Sequence, residues 1–398
     1  MRAALLLPAF LFPAIVIAAD DVDRALGKAL FERIWVPAPA STDAANGLGP
    51  FFSERSCVAC HGGPGGGASV ALTDTGVVAR GVSIRFGDAD GNPDPTYGTG
   101  FQARAVPGLG SEGTLAIAAV GTDAPLAVTV RPGRGPLSPG TRVSIRLAPP
   151  LVARGQLDAI DPAAILARAD PGDANGDGIS GRPNMVDTRD GPAIGRFGWK
   201  AEQPSLAHQV AHAFAFDLGL SSPLYPLPHG DCTATEADCL AAPDGRSPRF
   251  DNQEISTRMI DLVAGYVYGL EPKTTGPDRL GSVIFSDLGC NSCHTPSLPD
   301  KHGGQVTIYS DLLLHDMGAA LDDGVGALGV KSLEWRTAPL AGLAWSRGTT
   351  RRYLHDGRAS NLDAAIRAHG GEAAGAHSGY AALPPEDRAR LIAFLETL

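Results

Sequence analysis

Apolar residues recur at helical spacing in four stretches of the chain and give way to strand-like runs in one long region between them. Near the start, Val22, Ala25, Leu26, Ala29 and Leu30 return every three or four positions, which predicts an amphipathic helix. Residues 206–220 and 255–270 keep the same period. At the other end, Pro384, Pro385 and Glu386 supply helix-start chemistry, after which Leu391, Phe394, Leu395 and Leu398 share one face. Residues 76–147 instead hold β-branched runs, such as Val128-Thr129-Val130 and the stretch from Arg142 to Leu147, punctuated by Gly and Pro. The pattern predicts a mainly α protein with a β-containing insertion.

The first residues have a different purpose. Arg2 is followed by an apolar run over residues 3–17 and then by Ala18 and Ala19, the charge, core and small-residue exit of a secretory signal peptide spanning 1–19. Pro8 and Pro13 interrupt the run, which is short for a bilayer span; an uncleaved anchor is the alternative. The mature chain is therefore expected in the periplasm or an equivalent exported compartment.

Composition narrows the class further. The 398 residues carry a net charge of −10 and a pI near 5.4, which argues against nucleic acid or an anionic membrane as partner. Fifty glycines and 32 prolines make up about a fifth of the chain, against a usual share of roughly 12%. A loop-rich globule of two or three domains is expected.

Two of its pentapeptides carry chemistry: Cys57-Val58-Ala59-Cys60-His61 and Cys290-Asn291-Ser292-Cys293-His294. Two residues between the cysteines let both sulfurs reach the vinyl groups of one porphyrin, and the following histidine ligates the iron. A shared zinc site does not need a histidine directly after each pair. A thioredoxin-like pair belongs beside a βαβ pattern, which is absent. Two covalently bound haem c groups follow, and export agrees with them. Of six cysteines, Cys232 and Cys239 remain; an oxidising compartment predicts a disulfide between them.

Both motifs have a glycine and an aromatic residue shortly before the cysteines, in Gly47-Leu48-Gly49-Pro50-Phe51-Phe52 and Leu280-Gly281-Ser282-Val283-Ile284-Phe285. Each resembles the lead-in of a class I cytochrome c domain. The expected organisation is a first cytochrome c-like haem domain with a strand-rich insertion over 20–150, a helical connector over 151–278 and a second cytochrome c-like haem domain over 279–398. Within the connector, Asp173, Asn175, Asp177 and the carbonyl of Ile179 repeat the first half of an EF-hand-like calcium loop. Asn184 replaces the glutamate at the loop's twelfth position, and Asx-rich turns without metal are the alternative.

Function turns on the second face of each iron. No histidine stands between His61 and His208, and no methionine between Met1 and Met185. An open first haem is therefore expected, unless Tyr97 or a connector residue closes it. Glu112, alone among carboxylates of its type over residues 55–201, is the candidate acid/base for O–O cleavage. The second motif has His302, His315, Met317, His355, His369 and His377 in its own part of the chain. Trp199 is a candidate to lie between the porphyrins, with ordinary packing as the alternative. His208 and His212 share a helix face at a spacing usable by metals, though such histidines more often serve the helix itself.

A resemblance adds to this reading. Trp335-Arg336-Thr337-Ala338-Pro339-Leu340 and Tyr353-Leu354-His355-Asp356-Gly357-Arg358 are similar to signatures of bacterial dihaem cytochrome c peroxidases. More closely, the chain resembles the dihaem oxidoreductase family of peroxidases. The resemblance rests on Arg182-Pro183-Asn184, Gly195-Arg196-Phe197-Gly198-Trp199-Lys200-Ala201, the stretch from Asp311 to Gly318, and His369-Gly370-Gly371-Glu372. It implies that the distal ligand of the second iron follows His355 by a fixed interval, where His369 stands, with Met317 as its rival and His315 behind that. The distal histidine that peroxidases carry soon after their first motif is absent. The expectation is a periplasmic dihaem oxidoreductase that reduces hydrogen peroxide with electrons from a small cytochrome c or blue-copper protein. A dihaem electron carrier or redox sensor without turnover is the alternative.

Overall fold

The computed structural model describes residues 13–73, 76–272, 278–349 and 351–398. Residues 1–12 of the expected signal segment lie outside the described residues.

The expected mainly α architecture is not what forms: 29% of the protein is helix and 20% strand. Strands pair two by two into small hairpin-like sheets spread along the whole chain, not gathered in one insertion. Arg142–Leu147 pairs antiparallel with Val82–Gly87, and Gly113–Ala118 with Ala127–Pro132, as the β-branched runs imply. Further hairpins interrupt the supposedly helical parts, at Met185–Thr188 with Gly191–Ile194 and at Leu314–Asp316 with Glu334–Arg336. Runs this short are below the length at which a two-residue period can be read. Frequent glycine and proline explain why helices stop early and turns take their place.

The periodic stretches do form helices. Leu206–Leu218 begins at Ser205, whose Oγ accepts the His208 backbone N–H at 3.2 Å, and ends at Gly219 in the left-handed conformation, φ +70°. Thr257–Tyr268 is capped in the same way by Ser256. Their apolar faces, with Phe214, Leu218, Ile260 and Val263, meet Leu30 and Trp35 near the N-terminus and Leu312 and Leu313 of the second haem segment. The largest core is thus shared by first segment, connector and second segment. A second core of Val70, Ile84, Phe86, Tyr97 and Phe101 lies inside the strand-rich region.

Glycine contacts decide two approaches. Gly49 donates its N–H to Leu218 O at 2.8 Å, and a Cβ on it would fall 2.5 Å from Gly219 Cα. The lead-in to the first motif therefore packs backbone to backbone on the end of helix Leu206–Leu218. At the second motif, a Cβ on Gly281 would fall 2.4 Å from Arg390 O. Its absence lets helix Arg279–Asp287 lie against helix Pro385–Leu395, whose Leu391, Phe394 and Leu395 join Phe285 in a third core.

Candidate active site

The first cysteine pair begins and ends a single helical turn, Cys57–Cys60, and His61 follows as its cap. The ring of His61 donates from Nδ1 to the carbonyl of Gly66 at 2.8 Å. At the second pair, His294 Nδ1 donates to Tyr309 O at 3.1 Å, and His369 Nδ1 donates to Ala365 O at 2.8 Å. All three imidazoles thus spend Nδ1 on the backbone, which fixes the ring for a ligand role at Nε2, and the ring of His61 meets the Pro149 backbone as well. Burial lowers all three pKa values, that of His294 to about 4, so the lone pair is free at neutral pH. The cysteine thiols move the other way: burial raises Cys57 to about 12 and Cys290 to about 11. A thiolate redox pair is incompatible with those values.

His294 and His369 face each other with ring centroids 6.4 Å apart. Among the described residues, the ring set against His61 is that of Phe31, also at 6.4 Å, and no second histidine ring joins it. His315, a lesser candidate, is occupied on both sides. Its Nε2 meets Asp311 Oδ2 at 2.9 Å and its Nδ1 meets Glu372 Oε2 at 2.7 Å. Burial acts to lower its pKa, but hydrogen bonds to Asp311, Cys293 and Glu372 outweigh this and hold the ring protonated. An imidazolium has no lone pair to give a metal. Met317 lines the same cavity as His294 and His369.

That cavity measures about 700 Å³ and carries Cys290, Cys293 and His294 on its wall together with His369, Leu391 and Leu395. It continues to Leu147, Pro149 and Pro150, and a backbone hydrogen bond links Pro149 to the ring of His61. The two attachment segments are therefore joined through one short piece of chain. Trp199 lies along it, lining the cavity and donating Nε1 to Leu147 O at 2.8 Å.

Glu112 is 1% exposed, and its carboxylate accepts the backbone N–H of Gln102. Burial raises its pKa to about 9, so it is a neutral acid at pH 7. Gln102 connects it to the first attachment segment. Its Oε1 accepts from Ser53 Oγ at 2.7 Å, and its Nε2 donates to Phe216 O at 2.7 Å. Tyr97 is elsewhere, packed in the strand-rich core, where its hydroxyl donates to Gly135 O and accepts from Arg134 N.

Sequence reasoning passed over the group that surrounds the first pair. Asp217 raises the pKa of both Cys57 and Cys60, and its carbonyl accepts Ser53 N at 2.8 Å. Burial pushes Asp217 itself up to about 6, although Arg85 opposes the shift. Arg85 pairs with Glu202 at 3.8 Å, and both act on His212, which stacks on Phe216 at 4.5 Å. His208 takes a different part, meeting Ser205 Oγ with Nδ1 at 2.8 Å, so the two helix histidines do not act as a pair. The i, i+4 spacing of His212 and Phe216 was visible in the sequence; Gln102, Asp217 and Glu202 had no local signal.

A model of the family described as "Di-haem oxidoreductase, putative peroxidase" matches residues 137–398. The chain belongs to this family. The first attachment motif, at 57–61, lies ahead of the matched residues. No curated protein matches this di-haem oxidoreductase. Among solved structures, the diheme peroxidase BthA from Burkholderia thailandensis aligns with a TM-score of 0.42 at 13% identity, over 95% of this chain and 85% of its own. A MauG-like protein associated with microbial copper homeostasis gives 0.30 at 15%, over 62% and 89%. Hydrazine synthase from Kuenenia stuttgartiensis gives 0.27 at 20%, over 42% of this chain and 63% of that one.

Two haems are the family's complement, and the residues of this di-haem oxidoreductase fit them. Each Cys-x-x-Cys-His segment supplies two cysteines outside any disulfide and one imidazole oriented through Nδ1 by the backbone. The 700 Å³ cavity is within the range of roughly 300–1,000 Å³ usual for cofactor sites. The rings of His294 and His369, 6.4 Å apart and lining one cavity, would hold an iron between them. Cys232 and Cys239 form the separate disulfide.

The 173–179 loop of the oxidoreductase is an array of Asx turns. Asp173 accepts from Gly178 N, Asn175 Oδ1 from Asp177 N, and Asp177 Oδ1 from Ile179 N. Asn184 is turned away, donating to the Lys200 and Ala201 carbonyls. Among the described residues no helix is long and apolar enough to cross a membrane.

Proposed function

We propose that this di-haem oxidoreductase is an exported c-type peroxidase, with haem attached covalently through Cys57 and Cys60 and through Cys290 and Cys293. Hydrogen peroxide would react at the first haem, and the second would relay electrons from a small cytochrome c or blue-copper protein. The observation that carries this reading is the unequal pairing of histidines. His294 is answered by His369, while no histidine ring answers His61 among the described residues. An iron with two strong ligands passes electrons, whereas one with a free face can take a small oxidant.

The haem supplies the redox chemistry when bound, and the protein supplies position and protons. Gln102 anchors Glu112 beside the first attachment segment, and burial keeps the Glu112 carboxyl protonated, so it holds a proton that O–O cleavage requires. Arg85 and Glu202 pair beside His212, which burial keeps neutral, and Asp217 acts on the first cysteine pair. Trp199 sits on the piece of chain joining the two segments and is assigned the relay position.

Calcium enters this reading only as a weak, exchangeable ion. Three side-chain oxygens at alternate positions and the Ile179 carbonyl are present, but Asn184 does not complete the cage. Such a ligand count supports affinities of about 10⁻⁴–10⁻³ M.

Optical and EPR spectra of the purified protein test the proposal. One high-spin and one low-spin haem are expected, with the high-spin signal consumed by peroxide. Two low-spin haems that ignore peroxide would make the protein an electron carrier or redox sensor instead.

A further inference from the structure

The cavity that holds Cys290, Cys293, His294 and His369 also has an unusual concentration of cations. Arg154, Arg336, Arg351 and Arg352 all line it. Arg154 is 9% exposed and Arg336 6%, and neither makes an ion pair among the described residues. Arg154 donates only to the Ala341 and Pro339 carbonyls, at 3.3 and 3.0 Å, and Arg336 to those of Gly198 and Thr337, at 2.9 and 3.0 Å. Burial, together with the charges of Arg336 and Arg351, lowers the pKa of Arg154 to about 9. Arg336 and Arg351 are thus each close enough to repel Arg154. Among the described residues, Arg351 Nη1 and Thr337 Oγ1 are buried donors with no hydrogen-bond partner. Both belong to residues that line the same cavity.

Buried positive charges without a counter-charge cost several kcal/mol each. An orphaned donor adds about 1–3 kcal/mol more. The acids nearby relieve little of the cost: Asp311 acts on Arg336 but is bound to His315, Glu372 is held by the same histidine, and Asp177 by its own turn. An arrangement of this kind is stable when an anion completes it. Guanidinium forks match carboxylates in shape, two N–H groups to two oxygens. The cavity is also closed by the second attachment motif, so the anion that arrives with it is the porphyrin's own.

We infer that Arg154, Arg336 and Arg351, with the Thr337 hydroxyl, form a carboxylate-binding site that holds the propionates of the second haem. The assignment rests on the two-haem reading above. Arg154 follows the 147–150 segment, while Arg336, Thr337 and Arg351 come from the second haem segment, so the site ties two distant parts of the chain through the cofactor. It also sets the charge felt by the second iron. Positive groups near the ring favour the ferrous state, which raises its midpoint potential.

The test is spectroelectrochemical titration of the intact holoprotein, comparing wild type with Arg351→Gln, Arg154→Gln and Arg351→Lys. Arg351 is only half-buried, so its variants are the safer ones to fold. Either Gln variant should lower the midpoint of the low-spin haem alone, with a tenfold change in its ferrous/ferric ratio corresponding to about 59 mV for one electron. Arg351→Lys should return most of that shift. Haem-stained gels run in parallel identify which reading fails. Covalent haem with an unchanged midpoint in both Gln variants would overturn the carboxylate site and leave the two-haem reading intact. Absence of covalent haem in the wild type would overturn both. A saturable spectral change of the wild type on adding acetate or chloride, lost in Arg351→Gln, would mean that the site takes a free anion and not the propionates.

Discussion

The imidazole of His355 lies flat on the indole of Trp335, with ring centroids 3.8 Å apart and planes 12° from parallel. Lys200 Nζ stands 3.6 Å from the centre of the same indole. The His355 carbonyl accepts Leu147 N at 2.7 Å, and Leu147 O in turn accepts Trp199 Nε1. Two tryptophans are thereby linked, through one histidine and one strand end, between the cavity lined by His294 and the segment that touches His61. Trp335→Phe should cost about 0.5–1.5 kcal/mol of stacking. Losing the Nε1 bond to Leu321 O should add about 1 kcal/mol.

Electron transfer tests the same chain. Trp199→Phe should slow oxidation of the second haem after peroxide meets the first, in stopped-flow spectra, while the resting spectra of both haems stay as in the wild type. An unchanged rate would remove Trp199 from the relay.

His369 and His315 give opposite expectations despite lying on one cavity wall. His369→Ala should convert the second haem from low-spin to high-spin, seen by EPR. With His315→Ala the spin state should persist, because both His315 nitrogens already serve Asp311 and Glu372. If His369→Ala leaves the low-spin signal intact, Met317 is the ligand.

Glu112 links activity to pH. Its carboxyl titrates near 9 in the fold against 4.5 when free, so between those values the folded state binds the extra proton and stability falls as pH rises. Glu112→Gln removes that dependence, so the variant's melting temperature should gain on the wild type's as pH is raised through this window. Peroxide turnover should meanwhile drop by about 10²–10⁴-fold, the usual contribution of a general acid/base. Turnover near the wild-type rate would exclude Glu112 from proton transfer.

Gly49 tests the docking of the first segment. Gly49→Ala places a methyl 2.5 Å from Gly219 Cα. Because both neighbours are backbone, the strain should cost about 1–3 kcal/mol in urea unfolding and disturb the first haem's spectrum before the second's.

How much of this was legible in advance varies with the range of the signal. The helices at 206–220, 255–270 and the C-terminus were visible because a helical period needs only a dozen residues to declare itself. Hairpins such as Met185–Thr188 with Gly191–Ile194 were not, since four-residue strands carry too little pattern, and so the fold was expected to be more helical than it is. Glu112 was singled out by its isolation in the chain. Gln102, which holds it, and Asp217, which adjoins the cysteines, had nothing local to mark them.

The amino-acid sequence by itself supplied the two Cys-x-x-Cys-His pentapeptides on which the proposed haem attachment rests, because such a motif is five adjacent residues and needs no tertiary contact to be read. It also placed His369 as the distal candidate for the second iron. Tertiary structure alone decided that His369 meets His294, that His315 is consumed by two carboxylates, and that four arginines gather on one cavity wall. Each of those depends on where residues far apart in the chain come to rest, and burial together with the hydrogen-bond partners met there then sets their charge.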